Sequence, residues 1–360
     1  MPYSSRDLAS LATALTVLFG ITASLNEKAE AAESASNPNA ASLYAEAFDQ
    51  LNQLDHPDAK RLGSCGPDGC WVESTPISSS TRELLSQAAP ALLLVQRAHT
   101  ATELTWPSPS SHPRALIERA QLARSITGLL VLKAREQLLS DQSSQGISFL
   151  VMALAVSRQA AFPASYMTQL IEIGAARSPT TVLAQHLPDL TPTQLDSLSE
   201  ALEQLPPTPM PSQVILGEYA YGISEAKQRV ERKEPSAELV LRSFEALEDF
   251  YRKLANQATL PPKDFADLVK TQTEAYPKNF LVRAMGPMIT NQYQQGTAAL
   301  TRFALLKAGI AILQQGDAAV KLTKEPFATG PFQHETIPVG FRLTRHLSHR
   351  GQAVSLSFGR

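Results

Sequence analysis

Cys65 and Cys70 are the only two cysteines in this 360-residue chain, and the four residues between them read Gly-Pro-Asp-Gly. Three chemistries could use such a pair. A thioredoxin-type redox couple needs two intervening residues, not four. A zinc site needs about four ligands, usually as two close pairs, and here there is no second cysteine pair and only His56 close by in sequence. The third chemistry is a disulfide. Pro67 presets φ and the flanking glycines accept positive φ, so Gly66–Gly69 turns the two sulfurs back towards each other. In an oxidising compartment this spacing predicts a Cys65–Cys70 bridge; in a reducing one the same residues are free thiols.

Polar residues at helical spacing form the second candidate. Gln169 and Glu172 lie one turn apart among apolar neighbours, and Glu218 and Tyr221 have the same spacing in LGEYAY. Four such groups on two helices either line a polar cleft or hydrogen-bond helix to helix. His346 and His349 form an H-x-x-H, but no acidic residue follows Glu335, so they read as surface histidines and not as a metal site. No G-x-S-x-G, Walker A or G-x-G-x-x-G motif occurs. The sequence therefore assigns no catalytic, cofactor-binding or metal-binding residue, implies no cofactor, and leans away from an enzyme.

Helices must position these groups. Aromatic residues make up 6% of the chain, and its apolar residues are mostly Leu and Ala, a composition that favours helix. Asn39 is a cap for a helix with Leu43, Phe48 and Leu51 inward, and 81–103 reads as a helix interrupted by Pro90. Over 113–140, Leu122, Ile126, Leu129, Leu130 and Leu138 recur at helical spacing. A shorter apolar helix covers 145–160. Pro163 opens the next, where Met167, Leu170, Ile171 and Gly174 share a face and Pro179 is expected to end or kink it. Thr191, Pro192 and Gln194 spell a capping box ahead of Leu195, Leu198, Leu202 and Leu205. Further helices are expected near 212–233, 236–257, 262–275 and 278–315, the last kinked at Pro287. About nine helices result, with no fixed repeat period. After Pro326 the period changes to two: Phe341, Leu343 and Leu347, then Val354, Leu356 and Phe358, predict two strands joined at 349–352, a hairpin expected to pack against helices or against a third strand from 327–333.

The expected fold is all-α: an irregular multi-helix bundle or α-solenoid-like stack with a small C-terminal β-hairpin appendage. The expected organisation is 1–31 as signal peptide or anchor, 32–40 as polar linker, 41–325 as helical domain and 326–360 as β appendage. Residues 8–21 carry no charge and follow Arg6, which suits the apolar core of a signal peptide cleaved after Ala23 or Ala31; an uncleaved anchor or a buried helix is the alternative. No other stretch reads as a membrane span, so the mature chain is expected to be soluble. Its formal charge of −2 gives no general attraction to nucleic acid. Locally, Arg342, Arg345, Arg350 and Arg360 face no acid in the last 25 residues, a basic patch that either docks an anionic surface or is balanced by the fold.

Three stretches carry a resemblance: NAASLYAEAFDQL (39–51), ASYMTQLIEIGAARSPTTVLAQHLPDLTPTQLDSLSEALEQLPP (164–207) and VILGEYAY (214–221). Together they resemble uncharacterised exported helical proteins of bacteria that end in a long helix, a G-x-Y-P loop and a D-P-F-x-x-x-P-x-x-Y strand module. EPFATGPFQH stands in the module's place, with Glu325 for the Asp and His334 for the Tyr, and GDAAVKLTK (316–324) replaces the loop. The resemblance implies export and an all-helical body, and assigns no catalytic residue.

Taken together, these readings predict an exported, non-enzymatic helical scaffold that binds an unknown protein partner in the periplasm or cell envelope. Membrane contact would come only through the N-terminal segment if it stays uncleaved. An envelope hydrolase or a small-ligand binder, with its site between helices, is the alternative. The cysteine loop is tested first: thiol titration of the denatured, unreduced protein should find no free thiol, and two after reduction. Replacing both cysteines by serine should cost about 2 kcal/mol at most, because the loop is short. One equivalent of bound zinc, lost in that double variant, would point to metal binding instead.

Overall fold

The computed structural model describes residues 39–59, 62, 77–101, 103–106, 113–276, 279–316, 318–319, 326–327, 330–346 and 353–359. The expected signal segment, the Cys65–Cys70 loop, Glu325 and the 349–352 turn lie outside them. Twelve α-helices and three strands occur among the described residues. The helices are α1 (Ala40–Asn52), α2 (Ser79–Gln87), α3 (Ala89–Thr100), α4 (Pro113–Leu139), α5 (Ser143–Ala160), α6 (Tyr166–His186), α7 (Pro192–Glu203), α8 (Pro211–Glu231), α9 (Ala237–Glu245), α10 (Glu248–Asn256), α11 (Pro262–Glu274) and α12 (Phe280–Gln315). The class is therefore all-α with a small β appendage. The chain divides into two compact units: Met1–Ser108 with Gln121–Gln159 and Gly174–Pro206, and Pro109–Ala120 with Ala160–Ile173 and Pro207–Arg360. The boundary runs through α4 and α6, so sequence contiguity gave no sign of it.

In the first unit the Asn39 side chain accepts from the Ala41 N–H at 3.0 Å, which caps α1 as its position predicts. Tyr44 is buried in a stack with Trp106, ring centroids 5.9 Å apart. Both rings find partners on α5: the Tyr44 hydroxyl donates to Gln159 Oε1 at 2.7 Å, and Trp106 Nε1–H donates to the Gln159 carbonyl at 3.1 Å. Ile126, Leu129 and Leu130 of α4 are fully buried, as are Leu150, Ala153 and Ala155 of α5. The capping box forms: Thr191 Oγ1 accepts from the Gln194 N–H, and Gln194 Oε1 accepts from the Thr191 N–H. Gln194 Nε2 also donates to Ser144 Oγ, so one side chain both caps α7 and ties it to the start of α5. Leu195, Leu198 and Leu202 are buried beneath it.

The second unit is organised by α12. Its Asn279 cap accepts from the Leu281 and Val282 N–H groups. Phe265 of α11 stacks on Tyr293 with centroids 3.7 Å apart, and the Tyr293 hydroxyl donates to the Leu260 carbonyl at 2.6 Å. Phe250, Tyr251 and Leu254 of α10 fill the same core with Val214 and Ile215 of α8. The sheet packs on the other end. Strands β1 (Gln333–Ile337), β2 (Gly340–His346) and β3 (Ala353–Phe358) form an antiparallel meander in that order. Thr336 is opposite Phe341 and Phe341 opposite Phe358, so Phe341, Leu343, Leu356 and Phe358 share the apolar face. Gly309 of α12 accepts the Phe358 ring; a Cβ there would sit 2.1 Å from it. On the polar face Arg342 donates to Ser357 Oγ and pairs with Glu335 at 3.5 Å; Arg345 stands opposite Val354 on the other face, where burial lowers its pKa. Part of the expected basic patch is thus balanced within the sheet. His346 ends β2, and His349 lies outside the described residues.

Several expectations need correction. The expected hairpin is a three-stranded sheet, and its third strand lies at 333–337, not 327–333. Helix 236–257 is two helices: Leu247 is fully buried at the break, and Phe244 packs against Gly222 of α8. Core placement of these two residues overrides an unbroken helical ladder. Pro163 does not open α6, which begins at Tyr166 after a Ser165 cap. Pro179 does not end it, since the helix continues to His186. The buried face of α6 is also shifted: Thr168, Gln169 and Glu172 are buried, whereas Met167 is 45% exposed. Finally, α12 is long and apolar enough to cross a membrane by length and composition, contrary to the expectation that no later stretch would be, and half of its most apolar window is buried inside the fold.

One buried group gives a pH signature. His99 lies in the last turn of α3, is 8% exposed, and has no hydrogen-bond partner for either ring nitrogen among the described residues. A helix C-terminus favours a cation by about 0.3–1 kcal/mol, but burial dominates and lowers the imidazole pKa to about 4. The folded value lies below the unfolded one of about 6.5. The stability from a neutral His99 is therefore complete above pH 6.5 and is lost as pH falls towards 4, by roughly 3 kcal/mol. Urea midpoints measured from pH 7 to 4 should fall more steeply for the parent than for His99→Leu. Parallel curves would contradict the assignment.

Candidate functional site

Polar side chains converge in the second unit on the first residue of α6. Ser165 and Thr168 cap this helix: Ser165 Oγ accepts from the Thr168 N–H, and Thr168 Oγ1 accepts from the Ser165 N–H at 2.8 Å. The Tyr166 N–H is one of the helix's orphan donors. It finds Glu218 Oε2 of α8 at 2.9 Å. The Tyr166 carbonyl accepts from Gln292 Nε2 of α12 at 3.1 Å, and the same nitrogen donates to Gln169 Oε1 at 3.1 Å. Gln169 and Gln292 are 3% and 2% exposed. Three helices are thus joined through the backbone of one residue.

Backbone approach makes these bonds reachable. Gly217 precedes Glu218 and lies against the Ala164 carbonyl; a Cβ at Gly217 would sit 1.7 Å from that oxygen. Gly296 opens α12 to Gln169, whose Nε2 would lie 3.0 Å from an added Cβ. Two absent side chains therefore bring α8 and α12 onto the α6 terminus. Arg119 braces the preceding segment, donating to the carbonyls of Ala160 and Phe162. Its burial lowers the guanidinium pKa to about 10.

The electrostatics follow from burial. Desolvation raises the Glu218 pKa, and the Tyr166 N–H partly opposes the shift by stabilising the carboxylate. Burial raises the Tyr166 and Tyr251 phenols well above their ordinary value, and the charge of Glu218 adds to both. The Tyr251 hydroxyl is 3.2 Å from Met285 Sδ, while the Tyr166 hydroxyl has no hydrogen-bond partner among the described residues. A carboxyl of raised pKa beside phenols has the composition of an acid–base pair. Here, however, the carboxylate is held by a helix N-terminus and the phenols lie in the aromatic core.

The four residues expected at a polar cleft are thus placed as follows. Glu218 accepts from the Tyr166 N–H and Gln169 accepts from Gln292, so both bond helix to helix. Glu172 is buried one turn further along α6, and Tyr221 is half-buried one turn along α8. Sequence reading missed Gln292, Tyr166 and Gly217. Gln292 stands in the uncharged run ITNQYQQG, where no spacing separates a buried amide from an exposed one. No group of three or more His, Cys, Asp or Glu that could hold a metal occurs among the described residues. The Cys65–Cys70 pair lies outside them.

A separate groove runs along the surface between α11 and α12, with a volume of about 380 Å³. Gly286 forms part of its wall, where a Cβ would lie 2.8 Å from Thr273 Oγ1. Lys270, Glu274 and Arg283 are exposed along it.

Glu218 separates the roles of charge and hydrogen bonding. Glu218→Gln keeps an acceptor for the Tyr166 N–H and removes a charge that burial disfavours, so at pH 7 its stability should stay within about 1 kcal/mol of the parent. Glu218→Ala strands a buried N–H and should cost about 1–3 kcal/mol. Denaturation midpoints read both, and equal losses would remove the capping role. Compared with known proteins, the chain matches no family model, no curated protein and no solved structure.

Proposed function

We propose that the chain is an exported, non-enzymatic helical protein that binds a protein partner in the cell envelope. The observation that carries this reading is a division of labour among polar groups in the second unit. The buried Gln169 and Gln292 and the half-buried Glu218 are bonded to each other or to helix backbone. Lys270, Glu274 and Arg283, which make no ion pair among the described residues, line an open groove at the surface. Buried titratable groups in a cleft are what catalysis recruits; charges on an open groove are what recognition uses. Export rests on residues 8–21 and on the resemblance of 39–51, 164–207 and 214–221. A Cys65–Cys70 bridge belongs with that compartment.

The test is made in the native host. Mass spectrometry of the chain from a periplasmic extract should find its N-terminus between about residues 24 and 32, as the leader pattern requires. Chemical cross-linking of intact cells should join the chain to one envelope protein at a defined ratio. A chain that stays in the cytosol with Met1 in place would overturn the reading.

A further inference from the structure

We propose that the groove between α11 and α12 binds an extended acidic peptide segment of the partner; this rests on the partner-binding reading above. Charge gives the first reason. Several exposed helix charges elsewhere in this unit are paired, Arg252 with Glu248, Arg242 with Glu238, and Arg229 and Arg232 with Glu234, while others such as Lys253 and Lys263 form no ion pair among the described residues. Lys270, Glu274 and Arg283 make no ion pair among the described residues, although Lys270 and Glu274 stand at the i,i+4 spacing that allows one. All three line the groove, which therefore presents two cations and one anion.

The backbone gives the second reason. Pro287 lies inside α12 and has no N–H, so the Arg283 carbonyl loses the helical donor that residue 287 would supply. Arg283 and Pro287 both line the groove. The two hydroxyls there are already committed as donors: Thr273 Oγ1 to the Val269 carbonyl at 2.7 Å and Thr290 Oγ1 to the Gly286 carbonyl at 3.1 Å. They offer a ligand only lone pairs. The groove thus supplies cations and acceptors, between apolar surface from Ala266, Val269 and Pro287.

A ligand that matches must carry an anion, several N–H donors and apolar contact area. An inorganic anion has no N–H donors, and a simple carboxylic acid has none either. A peptide backbone has one at every non-proline residue, and a glutamate or aspartate side chain supplies the carboxylate for Lys270 and Arg283. Backbone N–H groups then face the Arg283 carbonyl and Glu274. Weak affinity that falls as salt rises is expected of such an open, charged site.

The test uses the full chain and the fluorescein-labelled peptide Ala-Leu-Glu-Leu-Ala, amidated at its C-terminus, read by fluorescence anisotropy. Saturable binding is expected. Exchanging the peptide's glutamate for glutamine, or combining Lys270→Ala with Arg283→Ala in the protein, should each weaken it about tenfold or more. Pro287→Ala is the diagnostic variant. It restores an N–H to the helix interior and should raise stability, yet by recapturing the Arg283 carbonyl it should weaken the peptide about fivefold. Equal binding of the two peptides, no loss in the double variant, or no binding at millimolar peptide would each overturn the proposal. A chain that still cross-links to its envelope partner while refusing the peptide removes this groove assignment and leaves the partner-binding reading standing. A chain that takes the peptide but stays in the cytosol does the reverse.

Discussion

A buried helix terminus cannot leave its backbone groups unpaired, and the second unit is arranged around that requirement at Tyr166. Its N–H and carbonyl lie out of solvent, where a lost hydrogen bond costs about 1–3 kcal/mol. Glu218 satisfies the donor and Gln292 the acceptor. Each comes from a different helix, so satisfying the backbone of one residue fixes α8 and α12 against the start of α6. Gly217 and Gly296 are the geometric condition for this. A Cβ at either would stand off the helix that carries the bond.

The same constraint explains the character of the buried face of α6. A hydrophobic stripe would place Met167 inward with Leu170 and Ile171. Instead Thr168, Gln169 and Glu172 are buried and Met167 faces solvent. Rotation of the helix by about one residue exchanges apolar burial, worth about 1.5–3 kcal/mol for a methionine, for the hydrogen bonds of Thr168 and Gln169 near the helix start. The exchange is favourable because the backbone donors of that first turn are buried whichever side chains surround them. Glu218 shows the accompanying cost: its raised pKa reports a charged form held where water is scarce.

Within this unit the polar side chains joined at the start of α6 serve the helix backbone and one another. Exposed charges on α11 and α12 line the groove, near a proline that leaves a helical carbonyl without its usual donor. Pro287 is tolerated because α12 is long and anchored along its length. Tyr293 is stacked on Phe265, Gln292 is bonded to Tyr166, and Gly309 lies under Phe358.

Periodicity and capping chemistry were legible in the sequence because both are local. The Thr191–Gln194 capping box, the Leu195–Leu198–Leu202 stripe, the Asn39 cap and the period-two strands around Phe341 and Phe358 all follow from residue type and spacing within a few positions. Charge, motif content and the all-α class were readable for the same reason. Tertiary structure alone decided what depends on distant chain segments. The break at Leu247 and the rotation of α6 each answer to partners on other helices, Gly222 against Phe244 and Gln292 against Gln169. Gln169 and Glu218 could be named from spacing, but whether they lined a cleft or joined helices was set by Gln292, 123 residues further along the chain from Gln169. A side chain's own sequence neighbourhood carries no information about which backbone group will need it once the helices are packed.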